Sequence, residues 1–179
     1  MEDQAEQMGL FVTNDTTKAW TGEARWSLET LAGERLEQGI EKVSAAALAA
    51  TPVRKLDFSG QIQDENRRQV VFIAELWKGK KFLARSLATF APNKHLELAA
   101  PQVEAKVSIT GEQLTILLKA NCLARFVALE LEGVDVVFND NYFDLPAGQT
   151  ETVTCPLPTG WTLDQARSAL RIRSLYDSF

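Results

Sequence analysis

The chain has 179 residues, enough for one ordinary domain or two small ones. Hydrophobic residues make up 45% and charged residues 24%, a globular composition that excludes a disordered or fibrous chain. The net charge is -5 without a cluster of Lys and Arg, and no apolar stretch approaches the ~20 residues that span a bilayer. We therefore expect no nucleic-acid partner and no membrane partner.

The N-terminal residues are acidic and polar, unlike the basic and then apolar start of a secretory signal, so we expect a cytoplasmic protein. Cys122 and Cys155 have no CxxC spacing, and His95 is the single histidine. These three side chains cannot build a four-ligand zinc site, so the sequence predicts no metal and no cofactor. Both cysteines are predicted to be free, buried thiols.

Alternation of apolar and polar residues predicts β-strands through the first half of the chain. One strand surrounds Trp26, and a hairpin turn at residues 78–80 joins residues 70–77 to residues 81–90. Residues 34–50 are rich in Ala, Glu, Leu and Lys, which favour helix by intrinsic propensity. We predict a strand there, because tertiary context overrides propensity in an all-β surround.

The second half continues the same alternation. A hairpin turns at Gly111, and further strands are predicted at residues 127–131, 134–138, 153–157 and 170–176. A single short helix fits residues 162–167, where Thr162 is a suitable N-terminal cap.

Two prolines, Pro92 and Pro101, flank a stiff connector between the two halves. Each half has the size and strand rhythm of an immunoglobulin-like sandwich. We predict an all-β fold of two tandem immunoglobulin-like antiparallel β-sandwiches with at most one short helix. The predicted parts are a disordered or artificial start at residues 1–8, a first sandwich at 9–92, a connector at 93–100 and a second sandwich at 101–179.

No catalytic constellation is visible in the sequence. Four glutamates occupy predicted solvent-facing strand positions, rather than forming the pocket pair that acid–base chemistry needs: Glu23, Glu29, Glu104 and Glu130. The lone His95 has no nucleophile elbow (G-x-S-x-G) to serve, and the glycine-rich nucleotide motifs are absent. We therefore predict that this chain contains no catalytic residue.

Tryptophans are the residues with which a sandwich domain could stack on a sugar ring. Trp26 alternates with Ala24 and Leu28, so we assign it to the core. The remaining three are candidates for sugar stacking: Trp20, Trp77 and Trp161. Because no set of polar residues surrounds them in sequence, we expect weak or absent sugar binding.

The strand at residues 70–77 is apolar on both faces, which indicates that both faces are covered. Val71, Ile73 and Trp77 are candidates for docking against another domain, and we expect them to be partly uncovered in this chain. The alternative is that this face already packs under a loop or on the other sandwich.

Several segments resemble the domains that follow the barrel in β-mannosidases of glycoside hydrolase family 2. The sequence FNDNYFDLPAG at residues 138–148 is similar to the F-S-D-N-Y-F-D-L-x-P-G signature of the family's terminal immunoglobulin-like domain. Residues 12–16, 90–98 and 170–177 resemble the opening, the connector and the closing strand of that region. The proline comes one place early and Asn139 replaces a serine, and both changes suit a turn.

This resemblance implies a non-catalytic, accessory C-terminal region of a β-mannosidase-like hydrolase that acts in carbohydrate metabolism. The implied partner is a (β/α)₈ barrel of the same polypeptide, ~250 residues long, whose two glutamates hydrolyse terminal β-mannosides with retention. The chain is expected to begin just after that barrel, with Met1 as an artificial start. The alternative is a stand-alone pair of carbohydrate- or protein-binding sandwiches, and a third possibility is a structural spacer.

Overall fold

The computed structural model describes residues 6–178, and in this part of the chain strands dominate, as predicted for an all-β fold. The described residues contain one α-helix, which is neither long nor apolar enough to cross a membrane. The elements are β1 (Gln7–Asn14), β2 (Trp20–Thr30), β3 (Arg35–Ala45), β4 (Ala49–Asp57), β5 (Val70–Lys78), β6 (Lys81–Thr89), β7 (Glu104–Thr110), β8 (Gln113–Lys119), β9 (Ala124–Leu131), β10 (Phe143–Leu145), β11 (Thr150–Pro156), α1 (Leu163–Ala169) and β12 (Leu170–Arg173).

The chain divides into two compact units. The first comprises the described residues up to Thr30 together with Glu34–Glu97, and the second comprises Leu31–Gly33 together with the residues from Leu98 onward. The division near Leu98 falls inside the proline-flanked segment 93–100.

The first unit contains a four-stranded antiparallel sheet, in the order β3-β2-β5-β6, and a two-stranded antiparallel sheet of β1 and β4. Its core is aromatic: Phe58 contacts the rings of Trp26, Phe72 and Phe90 at centroid distances of 6.0, 5.7 and 6.1 Å. Trp26 is buried in this core, which confirms its assignment from the alternation.

The strand predicted for residues 34–50 is confirmed, because the segment forms β3 and the start of β4 rather than a helix. The β3 strand pairs with β2 along almost its whole length, and Gly39 lies directly opposite Trp26. The Trp26 ring crosses the backbone at Gly39, where an added Cβ would lie only 2.4 Å from Cζ2 of the ring. The Trp26 indole therefore lies in a groove above Gly39, which exists only because β3 is a strand paired with β2.

The first sandwich starts earlier than the predicted boundary at residue 9. Gln7 and Met8 belong to the stretch expected to be disordered, yet Gln7 pairs with Asp57 and Met8 pairs with Leu56. The Gln7 Nε2 donates a hydrogen bond of 3.1 Å to Asp57 Oδ2, which fixes the beginning of β1. The prediction is therefore wrong at these two residues, and residues 1–5 of that stretch, including Met1, lie outside the described residues.

The second unit contains two three-stranded antiparallel sheets, in the orders β11-β8-β7 and β10-β9-β12. The short helix α1 begins at the predicted place. Thr162 Oγ1 accepts from the Gln165 backbone N–H, and the Gln165 side chain accepts from the Thr162 backbone N–H, which completes a capping box.

Two strand predictions in this unit are wrong. Residues 134–138 form no strand. Val134, Val136 and Phe138 pack on the core and Val137 is 83% exposed, so the side chains alternate as predicted. The segment is not a strand because no neighbouring strand in the described part of the chain pairs with it. The closing strand ends at Arg173, and a 3₁₀ turn at Leu175–Ser178 follows because Asp177 Oδ2 accepts from the Ser174 backbone N–H.

In the corner at residues 139–144, asparagine side chains make hydrogen bonds to backbone N–H and C=O groups, as a neighbouring strand would. The Asn141 side chain accepts from the Leu129 N–H at 2.8 Å and donates to the Leu129 carbonyl at 3.0 Å. Asn139 Oδ1 accepts from the Thr154 N–H, while the Asn139 backbone N–H donates to the Thr154 carbonyl. The segment therefore has a structural role, as predicted, and Leu145 at its end is fully buried.

The two cysteines are free and buried, as predicted. Burial raises the pKa of both the Cys122 and the Cys155 thiol, which lowers the fraction of reactive thiolate at neutral pH.

We expect neither thiol to react with a thiol reagent at pH 8 in the native protein, and both to react after addition of denaturant. Rapid labelling of either cysteine before denaturation would contradict this placement.

Candidate functional site

Two of the three candidate stacking tryptophans serve as packing residues. Trp20 packs against the core of the first unit, and its ring covers Gly22, where an added Cβ would lie 2.3 Å from Cη2. Trp161 packs against the core of the second unit. Both residues are half-buried, and sugar stacking on them stays a prediction.

Trp77 lies in a network of charged and aromatic side chains on one face of the four-stranded sheet. Its indole N–H donates to Glu75 Oε2 at 2.9 Å, and the Arg25 guanidinium carbon lies 4.6 Å from the ring centroid. Phe82, its cross-strand neighbour on β6, meets the ring edge to face at 5.5 Å. In the same network, Arg85 Nε forms an ion pair of 3.0 Å with Glu75 Oε1, and the Arg85 guanidinium carbon lies 5.1 Å from the Phe82 ring centroid.

This network satisfies its own polar groups. Arg25 also bonds Glu23 Oε2 through both Nε and Nη2, at 3.2 and 2.9 Å. Since a guanidinium already covers the Trp77 ring, a sugar would have to displace a cation–π contact to stack there. The arrangement suits cross-strand stabilisation of the sheet, and sugar stacking on Trp77 stays a prediction.

The expected exposure of Val71 and Ile73 is wrong. Each is only 2% exposed, on the face of β5 opposite Phe72, so their apolar area is already removed from water in this chain. This burial agrees with the alternative that the face is covered within the chain. Trp77, at the end of the same face, is half-buried.

Among the carboxylates, Glu29 differs from its prediction. The sequence predicts a solvent-facing side chain, but Glu29 is only 4% exposed. Its Oε1 accepts a hydrogen bond from Ser27 Oγ at 2.8 Å and forms an ion pair with Arg35 Nε at 3.3 Å. A hydroxyl and a cation therefore satisfy this carboxylate at its buried position. Residues 6–178 also hold no group of three or more His, Cys, Asp or Glu side chains arranged to bind a metal ion.

An aromatic residue that the sequence reasoning missed is Phe11, on β1. It is 63% exposed, and its ring lies over Gly9, where an added Cβ would be 2.6 Å from Cε2. Phe11 lines two hollows, of about 220 and about 500 Å³. The available signal was the pair Gly9 and Phe11 at alternate positions of one strand, which places an aromatic ring on the face that should be polar.

Two family models match the chain. Residues 6–95 match the mannosidase Ig/CBM-like domain, and residues 98–178 match an Ig-fold domain of mannosidases. No curated protein matches the sequence significantly.

Solved structures show the same fold. A β-D-mannosidase from Dictyoglomus thermophilum is similar with a TM-score of 0.81 and 21% identity, over 95% of this chain and 20% of that one. The exo-β-D-glucosaminidase CsxA is similar with a TM-score of 0.58 and 16% identity, over 93% of this chain and 24% of that one. The chain thus spans about a fifth to a quarter of the length of these structures.

The family matches confirm the resemblance that residues 138–148 and the other segments indicated. The chain belongs to the mannosidase Ig/CBM-like domain family, with a mannosidase Ig-fold domain as its second unit.

Proposed function

We propose that this chain is the accessory C-terminal region of a β-mannosidase-like glycoside hydrolase. The observation that carries the proposal is the pair of adjacent family matches, which together account for residues 6–95 and 98–178. Catalysis would be supplied by a barrel elsewhere in the same polypeptide, which would hydrolyse terminal β-D-mannosides. The protein would act in the cytoplasm.

The side-chain chemistry supports a non-catalytic role. Glu23, Glu29 and Glu75 are each held by an arginine, at distances of 2.9, 3.3 and 3.0 Å. A glycosidase of this chemistry needs two carboxyl groups that face a bound sugar from opposite sides. These glutamates instead lie along one sheet, where their charges are matched by cations.

The second candidate function is a stand-alone carbohydrate-binding pair of sandwiches. The exposed ring of Phe11 beside a hollow of about 500 Å³ favours it, since this volume lies within the ~300–1,000 Å³ typical of small-ligand sites. The two functions are compatible if the binding surface serves a larger enzyme.

Reading the DNA directly upstream of the Met1 codon tests the proposal against its alternative. An accessory region predicts an in-frame upstream sequence of alternating strands and helices, long enough for a barrel of ~250 residues. A ribosome-binding site and an in-frame stop codon directly before Met1 would instead identify a stand-alone binding protein.

A further inference from the structure

Phe11 provides a flat, solvent-facing aromatic surface on the two-stranded sheet of the first unit. Its ring lies along β1 because Gly9, two residues earlier on the same face, has no side chain to lift it. Lys55 is the direct cross-strand partner of Gly9, so a charged stem borders the ring on the β4 side. The surface is therefore one exposed ring with a polar neighbourhood, rather than a continuous apolar patch.

Polar groups with unused capacity border this ring. Gln7, on the same face of β1, has a buried Oε1 with no hydrogen-bond partner within residues 6–178, whereas buried acceptors are normally paired. Its Nε2 holds Asp57, whose pKa is lowered mainly by the Ser59 backbone N–H that donates to Oδ1 at 3.0 Å. An ionised acceptor, an unpaired amide oxygen and an ammonium group therefore lie on one sheet with the ring.

The hollow beside the ring is lined by two of these residues, Gln7 and Lys55, but not by Asp57. It measures about 500 Å³ and is lined by Gln7, Gly9, Phe11, Lys55 and two β4 residues, Pro52 and Val53, among others. A pyranose has one face of C–H groups that stacks on an aromatic ring and an edge of hydroxyls that donate and accept hydrogen bonds. A protein partner fits less well, since the cores of protein interfaces are depleted of lysine and aspartate.

We propose that Phe11, Gly9, Gln7 and Lys55 form a binding site for a neutral, β-linked oligosaccharide. One pyranose ring stacks on Phe11, and its hydroxyls bond to Lys55 and, once the Gln7 side chain turns toward the hollow, to the unpaired Gln7 Oε1. The choice of β-mannosides as ligands rests on the proposed function, whereas the site itself rests on the geometry of β1 and β4. The sequence expectation named only tryptophans, and this site contains none.

Titration of the ¹⁵N-labelled 179-residue chain with β-1,4-mannobiose and mannotetraose, followed by amide NMR shifts, tests the site. We expect saturable shifts at Gly9, Phe11 and Lys55. Phe11→Ala should weaken binding by about tenfold or more, while Phe11→Trp keeps a stacking ring and should retain it. Tyr142→Ala removes another exposed aromatic ring, in the second unit, and should leave the affinity unchanged.

Gly9→Ala is the second, independent variant. Its Cβ would displace the Phe11 ring without removing it, at little cost in stability because the ring is exposed. We expect it to weaken binding while the rest of the amide spectrum stays native. The proposal is overturned if the wild-type chain shows no saturable shift, or if both Phe11→Ala and Gly9→Ala bind as the wild type does. Neither result bears on whether a catalytic barrel precedes the chain.

Discussion

Replacing Asp144 by alanine should lower the free energy of unfolding of the second unit by about 3 kcal/mol, the effect of breaking a buried ion pair from one side. Asp144 Oδ1 lies 2.9 Å from Arg125 Nε, and both side chains are largely buried. The same oxygen accepts from the Phe126 N–H at 3.1 Å. That bond holds Phe126 in a left-handed conformation, with φ of 50°. Alanine would leave a buried guanidinium without this carboxylate and would remove the bond that holds Phe126 in its left-handed conformation.

Hydrogen exchange of the β9 amides measures this loss in the second unit alone. Asp144→Asn keeps an acceptor for Phe126 and removes the charge, so we expect an intermediate loss. The matched control is Glu132→Gln, which breaks the exposed ion pair with Arg171 and should change the free energy by at most about 1 kcal/mol. Equal protection in Asp144→Ala and in the control would show that the buried pair contributes nothing measurable.

A methyl group at Gly39 should destabilise the first unit by about 2 kcal/mol, within the usual range for overpacking a core. The added Cβ would lie 2.4–2.7 Å from three atoms of the Trp26 ring. That ring cannot move away freely, because Phe58 and Phe72 lie against it at centroid distances of 6.0 and 6.3 Å. The indole must therefore tilt within the core or push β3 away from β2.

Thermal unfolding followed by near-ultraviolet circular dichroism checks the Gly39→Ala variant, since the signal reports the aromatic core. Gly60→Ala is the control, because an added Cβ there meets no atom within 4 Å. We expect Gly60→Ala to melt within experimental error of the wild type. An unchanged melting temperature of Gly39→Ala would contradict this prediction, since it would mean that the Trp26 ring accommodates the added methyl group without strain.

The strand at β3 shows what sequence patterns can predict. The composition of residues 34–50 favours helix, yet the surrounding alternation was sufficient to predict a strand, because a helix has no place in a sandwich. Periodicity of side chains also located the hairpins at Gly79 and Gly111, where the backbone has a positive φ that glycine adopts without strain.

Residues 134–138 show where such patterns stop. The alternation correctly identified which side chains face the core, but a strand also needs a neighbour to bond with, and this is a property of the fold. In the structure the Asn139 and Asn141 side chains take over the bonds to Thr154 and Leu129 that a strand would have supplied. The alternation of apolar and polar residues does not indicate that side chains, rather than a strand, make these hydrogen bonds.

The site residues were harder to predict than the fold. The tryptophans were chosen as stacking candidates because their rings are large. A large ring can also pack against the protein where a glycine leaves space, as the Trp20 ring does over Gly22. Phe11 is smaller and lies in a segment that was not predicted as a strand. Its exposure depends on the pairing of β1 with β4, a contact between residues far apart in the chain.

If the proposed longer polypeptide is produced with and without this chain, its rate of aryl β-D-mannoside hydrolysis tests the proposed accessory role most directly. We expect that removing the chain lowers the rate or the melting temperature of the barrel-containing remainder, and that the isolated chain turns over no substrate. The accessory role is contradicted if the remainder is equally active and equally stable without the chain. It is also contradicted if the isolated chain hydrolyses the substrate and one Glu or Asp substitution within it abolishes that activity.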